Sequence, residues 1–285
     1  IKTKTNEFRN INELIGLVDV IYNRCFIANK FNYCKPEIPD NTERETNGKQ
    51  EATSFFDAKD IRHCLIEHIQ TEELYVTNDV CLGKDKSGIL LYGTNAVGKT
   101  SLIRAIGITI IMAQAGLYVP CSSLVFYPYK NLFSRILGND NLFKGLSTFA
   151  VEMSELRSIL KYSNENSLIL GDELCSGTEI ASAVSIFVTG IQYLHANNSS
   201  FIFATHLHEI VGFSEIKELD RLALKHMSVK YDNERKVLVF DRKLLDGPGN
   251  NMYGLEVCKS YNLPKEFLEN AHKLRIKYDP TQETI

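Results

Sequence analysis

The eight residues Gly93-Thr94-Asn95-Ala96-Val97-Gly98-Lys99-Thr100 match the complete G-x-x-x-x-G-K-[ST] template of a phosphate-binding loop. The apolar run 89–92 before it predicts a strand, and a helical pattern follows from Thr100 to about Ala115, with Gly116 placed to end the helix. Glycines let backbone N–H groups turn inward around phosphate oxygens, and the helix N-terminus adds partial positive charge. A chance glycine turn is the competing interpretation, which the flanking strand and helix disfavour.

Two side chains of this loop fit the chemistry of a triphosphate site. Lys99 can reach the β- and γ-phosphates of a nucleotide, and the hydroxyl of Thr100 can bind Mg²⁺. The sequence therefore predicts a nucleoside triphosphate and Mg²⁺ as ligands. The predicted nucleotide contacts in and directly after the loop are Gly93, Thr94, Asn95, Ala96, Val97, Gly98, Lys99, Thr100 and Ser101.

Two further apolar runs end in polar pairs. The run 167–170 leads through a glycine to Asp172 and Glu173, and the run 201–204 leads to Thr205 and His206. The carboxyl ends of strands in an open α/β sheet are where ligands bind. We expect Asp172 to hold Mg²⁺ through its water shell, Glu173 to act as general base on the attacking water, and His206 to contact the γ-phosphate or that water. The competing interpretations are a solvated strand end and a structural histidine.

Strands that alternate with helices predict an α/β fold with a mainly parallel sheet flanked by helices. An apolar stripe over residues 8–26 predicts a helix, which Pro36 and Pro39 would stop, and residues 40–51 are almost wholly polar and predict a loop. The remaining predicted elements are helices at 149–162, 181–195 and 264–277 and a strand at 237–240.

Composition places the chain among globular proteins. It has 285 residues, 44% hydrophobic and 24% charged, with a formal net charge of -3 that gives no support for direct DNA binding by this segment. The seven cysteines are dispersed without a C-x-x-C pair, which indicates reduced thiols in an intracellular protein. No apolar run reaches the ~20 residues that span a bilayer, so we expect no membrane contact. Because the chain begins at Ile1, we expect a fragment of a longer protein.

The segment between the phosphate loop and the acidic pair is the most specific. Residues 140–153, Asp-Asn-Leu-Phe-Lys-Gly-Leu-Ser-Thr-Phe-Ala-Val-Glu-Met, strongly resemble the signature loop of the MutS family of DNA mismatch-repair ATPases, and a Ser-Gly-Gly-Gln signature of ABC transporters is absent. Further similar motifs are 172–178, 204–206, 253–257, 263–266, 32–36 and Arg62-His63 with Glu67. The resemblance spans roughly residues 8–277.

The resemblance implies a P-loop NTPase of ABC type that binds ATP and Mg²⁺ and hydrolyses ATP. It also implies a head-to-tail homodimer or heterodimer in which Ser147 faces the γ-phosphate held by the partner subunit. Asn95 would contact phosphate, Tyr75 would stack on adenine, and Val76 would offer backbone hydrogen bonds to the base. Mismatched duplex DNA would bind to domains outside this chain, and downstream repair factors would be further binding partners.

The resemblance divides the chain into the end of a helical lever (1–35), the ATPase domain (36–278) and a tail (279–285). The sequence departs from the family at Cys175-Ser176-Gly177, at Glu179, and at Arg242, which replaces a histidine found against adenine in some members. Two alternatives stay open: a family relative acting on recombination or branched DNA, and a module that dimerises on ATP without hydrolysing it.

Overall fold

A computed structural model describes residues 2–39, 53–69, 74–136, 148–175, 177–232, 237–249, 254–261 and 263–278. The helices are α1 Lys2–Phe31, α2 Ile66–Ile69, α3 Lys99–Gln114, α4 Thr148–Tyr162, α5 Ile180–Ala196, α6 Ser214–Lys217, α7 Gly254–Ser260 and α8 Lys265–Tyr278. The strands are β1 Phe55–Ile61, β2 Asn78–Leu82, β3 Gly88–Tyr92, β4 Ser123–Tyr127, β5 Asn131–Arg135, β6 Ser167–Asp172, β7 Ser200–Ala204, β8 Leu222–Met227, β9 Lys230–Asp232, β10 Val237–Val239 and β11 Leu244–Asp246.

The central sheet carries the order β11-β8-β3-β7-β6-β5. All neighbouring pairs in it are parallel except β11 with β8, so the predicted α/β fold with a mainly parallel sheet is confirmed. Strands β3, β6 and β7 are buried along their whole length because helices or a second sheet cover both faces. The strands that precede the phosphate loop, the acidic pair and the histidine therefore lie next to one another.

Successive residues of β3 serve two different cores, as the two-residue period of a strand requires. Ile89 and Leu91 pack with α3, whereas Leu90 and Tyr92 pack with α4 and α5. The first core also contains the buried side chains of an antiparallel sheet with the order β2-β1-β4. This second sheet was not predicted from the sequence.

Helices α3, α4, α5 and α8 match the predicted helices within a residue or two. Helix α1 is longer than the predicted segment 8–26, and the expectation that Pro36 and Pro39 stop it is wrong. It ends at Phe31 because Asn32 takes a left-handed conformation with φ 52°. The predicted polar loop at 40–51 lies outside the described residues.

The C-terminal end of α1 is tied to the rest of the chain. The guanidinium of Arg62 donates to the carbonyl oxygens of Phe31 at 3.0 Å and Asn32 at 2.9 Å, two of the groups that a helix end leaves open. The Tyr33 hydroxyl donates to Glu67 at 3.0 Å. Burial and the charge of Glu67 raise the pKa of the Tyr33 hydroxyl, which therefore stays protonated as this donor. The helix is thus anchored at one end.

No helix in the described part of the chain combines the length and apolar character needed to cross a bilayer. All seven cysteines are free thiols.

Candidate nucleotide-binding site

The phosphate loop connects β3 to α3 through backbone conformations that favour glycine. Gly93 has φ 144° and Gly98 has φ 109°, and a Cβ on Gly93 would meet the Val97 side chain at 3.0 Å. Gly98 is the N-cap of α3 and provides no capping side chain. The first N–H groups of α3 are therefore left to an anion, which the helix dipole also favours.

Lys99 is 5% exposed and lies across the loop. Its ammonium donates to the carbonyl oxygens of Gly93 at 2.6 Å and Thr94 at 3.2 Å. Burial lowers the pKa of Lys99, while the charges of Glu173 and Asp172 act in the opposite direction. The nearby carboxylates thus offset part of the cost of burying this cation.

Asp172 ends β6 and is 5% exposed. Its Oδ2 accepts a 2.5 Å hydrogen bond from the hydroxyl of Thr100. Its other oxygen, Oδ1, is buried without a hydrogen-bond partner among the described residues. A buried carboxylate oxygen without a partner calls for an ion or water, so these two residues fit a Mg²⁺ site with oxygen ligands.

Glu173 and His206 meet at the same edge of the sheet. His206 Nε2 lies 3.0 Å from Glu173 Oε1, 3.0 Å from Asn95 Oδ1 and 3.3 Å from the ammonium of Lys99. The Glu173 backbone N–H donates to Ala204 at 3.0 Å, which extends the pairing of β6 and β7 up to the carboxylate. Both side chains are partly exposed, so a substrate and a water molecule can reach them.

A cavity of about 170 Å³ lies beside the loop. Its lining includes Ile66, Tyr75, Val76, Asn78, Ala96, Val97, Gly98, Ser101, Leu102, Met227 and Arg242. Burial, and then the charge of Glu67, raises the pKa of Tyr75 to about 12, and the charge of Arg242 acts to lower it. The cavity combines an aromatic ring, apolar side chains and a cation, as suits an adenine base.

Asn78 organises one wall of this cavity. Its side-chain nitrogen donates to the carbonyl oxygen of Arg242 at 3.0 Å, and its oxygen accepts from the Leu244 N–H at 2.7 Å. Asn78 could not be found from the sequence because its partners are far away in the chain. Met227 and Ile66 were missed as well, since their apolar side chains carry no motif.

The structure brings together most of the predicted site residues. The loop residues from Gly93 to Ser101 lie beside Asp172, Glu173 and His206, while Tyr75 and Val76 line the adjoining cavity. Ser147 and Ser176 lie outside the described residues.

Residues 89–278 match the family description MutS domain V. The chain is 38% identical over 272 residues to the mitochondrial DNA mismatch repair protein mutS homolog of Sarcophyton glaucum, covering 95% of this chain and 26% of that protein. A putative DNA mismatch repair protein, mutS homolog, of Acanthamoeba polyphaga mimivirus is 34% identical over 300 residues, covering 93% of this chain and 26% of that protein. The DNA mismatch repair protein MutS of Staphylococcus haemolyticus is 33% identical over 285 residues, covering all of this chain and 30% of that protein.

The chain thus spans less than a third of the length of these relatives. It belongs to the MutS family, and its residues 89–278 correspond to domain V.

Proposed function

We propose that this chain binds ATP with Mg²⁺ and hydrolyses it as the ATPase module of a MutS-type DNA mismatch-repair protein. The observation that carries the proposal is the convergence of five side chains at the carboxyl ends of β3, β6 and β7. These side chains are Lys99, Thr100, Asp172, Glu173 and His206. Phosphoryl transfer needs this combination of a phosphate grip, a metal site and a group that activates water.

The phosphate grip has two parts. The N–H groups at the start of α3 face the β- and γ-phosphates, and the ammonium of Lys99 exchanges its carbonyl acceptors, Gly93 and Thr94, for phosphate oxygens. A phosphate anion is the stronger acceptor for a buried ammonium, so nucleotide binding is favoured at this position. The side-chain amide of Asn95 is a further donor to the phosphates.

The hydrolytic step uses the acidic pair. Thr100 and Asp172 would hold Mg²⁺, which supplies positive charge next to the phosphates when bound. Glu173 accepts the proton of a water molecule whose oxygen attacks the γ-phosphorus, while the bond to the β-phosphate oxygen breaks and ADP leaves. His206 holds the Glu173 carboxylate at 3.0 Å and presents its ring to the γ-phosphate.

The adjoining cavity is the proposed base site. Tyr75 stacks on adenine, the backbone of Val76 hydrogen-bonds the base edge, and Arg242 supplies a cation that can stack on the ring. Asn78 fixes Arg242 through its carbonyl oxygen. The base is thereby placed next to the phosphate loop.

The wider assembly is proposed from the family and the names of the relatives. The chain forms a head-to-tail homodimer or heterodimer in which Ser147 of one subunit completes the ATP site of the other. Residues 1–35 are the end of a lever, 36–278 the ATPase domain and 279–285 a tail. Mismatched DNA binds to domains outside this chain. The protein acts inside the cell together with downstream repair factors. Competition between mismatched, paired and branched DNA for the longer protein tests this choice of substrate.

Two substitutions separate binding from turnover. Lys99→Ala removes the buried ammonium, so ATP affinity should fall by at least about tenfold, which corresponds to about 1.4 kcal/mol. Glu173→Gln keeps the shape of the side chain but removes the base, so it should keep ATP affinity and lower turnover about 10²-fold or more. Equilibrium ATP binding and steady-state phosphate release measure the two effects.

The matched controls are Lys84→Ala, which changes a lysine in a partly exposed ion pair with Asp57, and Glu165→Gln, which changes an exposed glutamate outside the loop. Both should behave like the unchanged protein. Undiminished ATP affinity in Lys99→Ala would exclude the proposed site, and full turnover in Glu173→Gln would exclude this residue as the base.

A mixed dimer tests whether sites are shared. Chains carrying Lys99→Ala and chains carrying Ser147→Ala should each lack turnover as homodimers. If Ser147 acts on the nucleotide of the partner, the mixed dimer contains one site with both residues intact, and turnover returns to about half per dimer. No recovery on mixing, with dimers demonstrated by light scattering, contradicts the shared site.

A further inference from the structure

The segment that follows β6 contains two unusual backbone conformations. Glu173 has φ 52° and Cys175 has φ 67°, both in the left-handed region that residues with a side chain rarely adopt. Such conformations cost free energy and persist where surrounding contacts determine them. Because Glu173 is the proposed base, whatever holds this turn also sets the direction of its carboxylate.

The turn is held at both ends. On the strand side, the Glu173 N–H donates to the carbonyl oxygen of Ala204 at 3.0 Å. On the helix side, the Cys175 N–H donates to Oε1 of Glu152 at 2.6 Å, and this hydrogen bond is buried. Glu152 belongs to α4 and is only 3% exposed. A charged acceptor makes such a bond short and strong.

Packing fixes the same turn against α4. The side chains of Leu174 and Cys175 are buried in the core that includes Leu156 of α4. A Cβ added to Gly177 would meet the Cβ of Phe149 at 3.3 Å, so the end of the turn lies against the beginning of α4. Of the three residues 173–175, only Glu173 is partly exposed.

The Cys175 side chain next to Glu152 is uncharged. Burial, and then the negative charge of Glu152, raises the pKa of the Cys175 thiol to about 12. The thiol therefore stays neutral and does not repel the Glu152 carboxylate, which accepts from the backbone N–H of Cys175. Without that acceptor, a buried N–H group would be left without a partner, and the turn would relax towards a commoner conformation.

We propose that Glu152 is a positioning residue that holds the turn 173–175 in its left-handed form and thereby aims the Glu173 carboxylate at the attacking water. Glu152 does not contact the substrate itself. This inference rests on the proposed ATPase function and extends it to a residue on a neighbouring helix.

The test compares three variants of Glu152 in the full chain. Glu152→Ala removes the acceptor, so kcat for ATP should fall about 10²-fold, the size of effect expected when a catalytic group is displaced by about 1 Å. Glu152→Asp retracts the carboxylate from the Cys175 N–H and should also lower kcat. Glu152→Gln keeps a neutral acceptor at the same distance and should restore most of the turnover. In all three variants, the dissociation constant of ATP should stay within about threefold of that of the unchanged protein, because Glu152 is not part of the proposed phosphate contacts.

A control variant and one mutant background sharpen the result. Ser158→Ala, at an exposed position on the same helix, should leave kcat unchanged. In a Glu173→Gln background, Glu152→Ala should lower turnover no further, since the group that it positions has already been removed. A purely structural role would instead lower ATP affinity along with kcat, and the loss of turnover would persist in the Glu173→Gln background.

Each outcome decides the inference. Unchanged kcat in both Glu152→Ala and Glu152→Asp overturns it, and so does an equal loss in Glu152→Gln and Glu152→Ala. If Glu152→Ala does not fold, the contrast between the aspartate and glutamine variants decides it instead. If Glu173→Gln itself retains full turnover, the proposed base is wrong and the ATPase mechanism fails, which is a result separate from the failure of Glu152.

Discussion

Helices α1 and α3 are the two regions of the chain that differ most in how they are stabilised. Helix α3 buries Ile103, Ile106 and Ile110 beneath the central sheet. Helix α1 is nearly twice as long, yet its large apolar side chains are exposed, with Phe8 at 65% and Tyr22 at 66%. Packing of an apolar face stabilises most protein helices. Within this chain α3 has that support, whereas α1 depends on its own backbone hydrogen bonds and on the anchor at its C-terminal end.

The difference has a consequence for the function of each helix. Helix α3 carries Lys99 and Thr100 in its first turn, so the proposed phosphate grip is built on a helix that packs against the central sheet. The anchor of α1 uses Arg62 and Glu67, and Ile66 between them lines the base cavity. The contacts at the C-terminal end of α1 and the lining of the proposed adenine site therefore both involve the short segment 62–67.

The largest effect should come from truncating a phenylalanine in each region. Phe203 of β7 is 1% exposed and packs its ring against that of Phe187 at 5.8 Å, so Phe203→Ala should lower the free energy of unfolding by about 3–5 kcal/mol. Phe26 of α1 is 48% exposed, and Phe26→Ala should change the same quantity by less than about 0.5 kcal/mol. Urea unfolding followed by near-ultraviolet circular dichroism measures both.

A loss of several kcal/mol in Phe26→Ala would break the comparison, because it would show that α1 unfolds together with the α/β core. A loss below about 1 kcal/mol in Phe203→Ala would show that the core is looser than its burial indicates. Either outcome changes the picture of a packed core that carries an exposed helix.

An element of the fold or a residue of the candidate site could be predicted from the sequence when the residues that determine it lie close together in the chain. Strands β3, β6 and β7 are continuous apolar runs that end in chemically distinctive residues, so both the strands and the site at their ends were predicted. The phosphate loop is a contiguous motif and required no distant contact. The proximity of Glu173 and His206 could be predicted because buried parallel strands bring their ends to one edge.

The missed elements depend on pairing partners that are distant in the chain. Strand β1 has a register shift between Ala58 and Ile61, which breaks the alternation that a sequence pattern would show. Strand β8 mixes partly buried residues with a lysine and a histidine and resembles no simple strand pattern. The Asn78 contacts to Arg242 and Leu244, like the Glu152 contact to Cys175, arise only after the chain has folded.

The smaller effect comes from adding a methyl group to one glycine in each region. A Cβ on Gly171, next to Asp172 in β6, would approach the Phe203 ring to 2.1 Å, whereas a Cβ on Gly16 of α1 meets nothing within 4 Å. Gly171→Ala should therefore destabilise the core by about 1–3 kcal/mol through overpacking. Gly16→Ala should stabilise α1 by about 0.5–1 kcal/mol, since glycine is the poorer helix former.

Hydrogen exchange distinguishes the two regions in this matched pair. In Gly171→Ala, amides of β6 and β7 should exchange faster, and ATP affinity should fall because Asp172 moves with the strand. In Gly16→Ala, amides around the centre of α1 should exchange about two- to fivefold more slowly, the factor that corresponds to about 0.5–1 kcal/mol, while the core amides stay unchanged. Slower exchange in the core as well would mean that α1 and the core open as one unit. Helices α1 and α3 would then differ in the exposure of their side chains but not in their local stability.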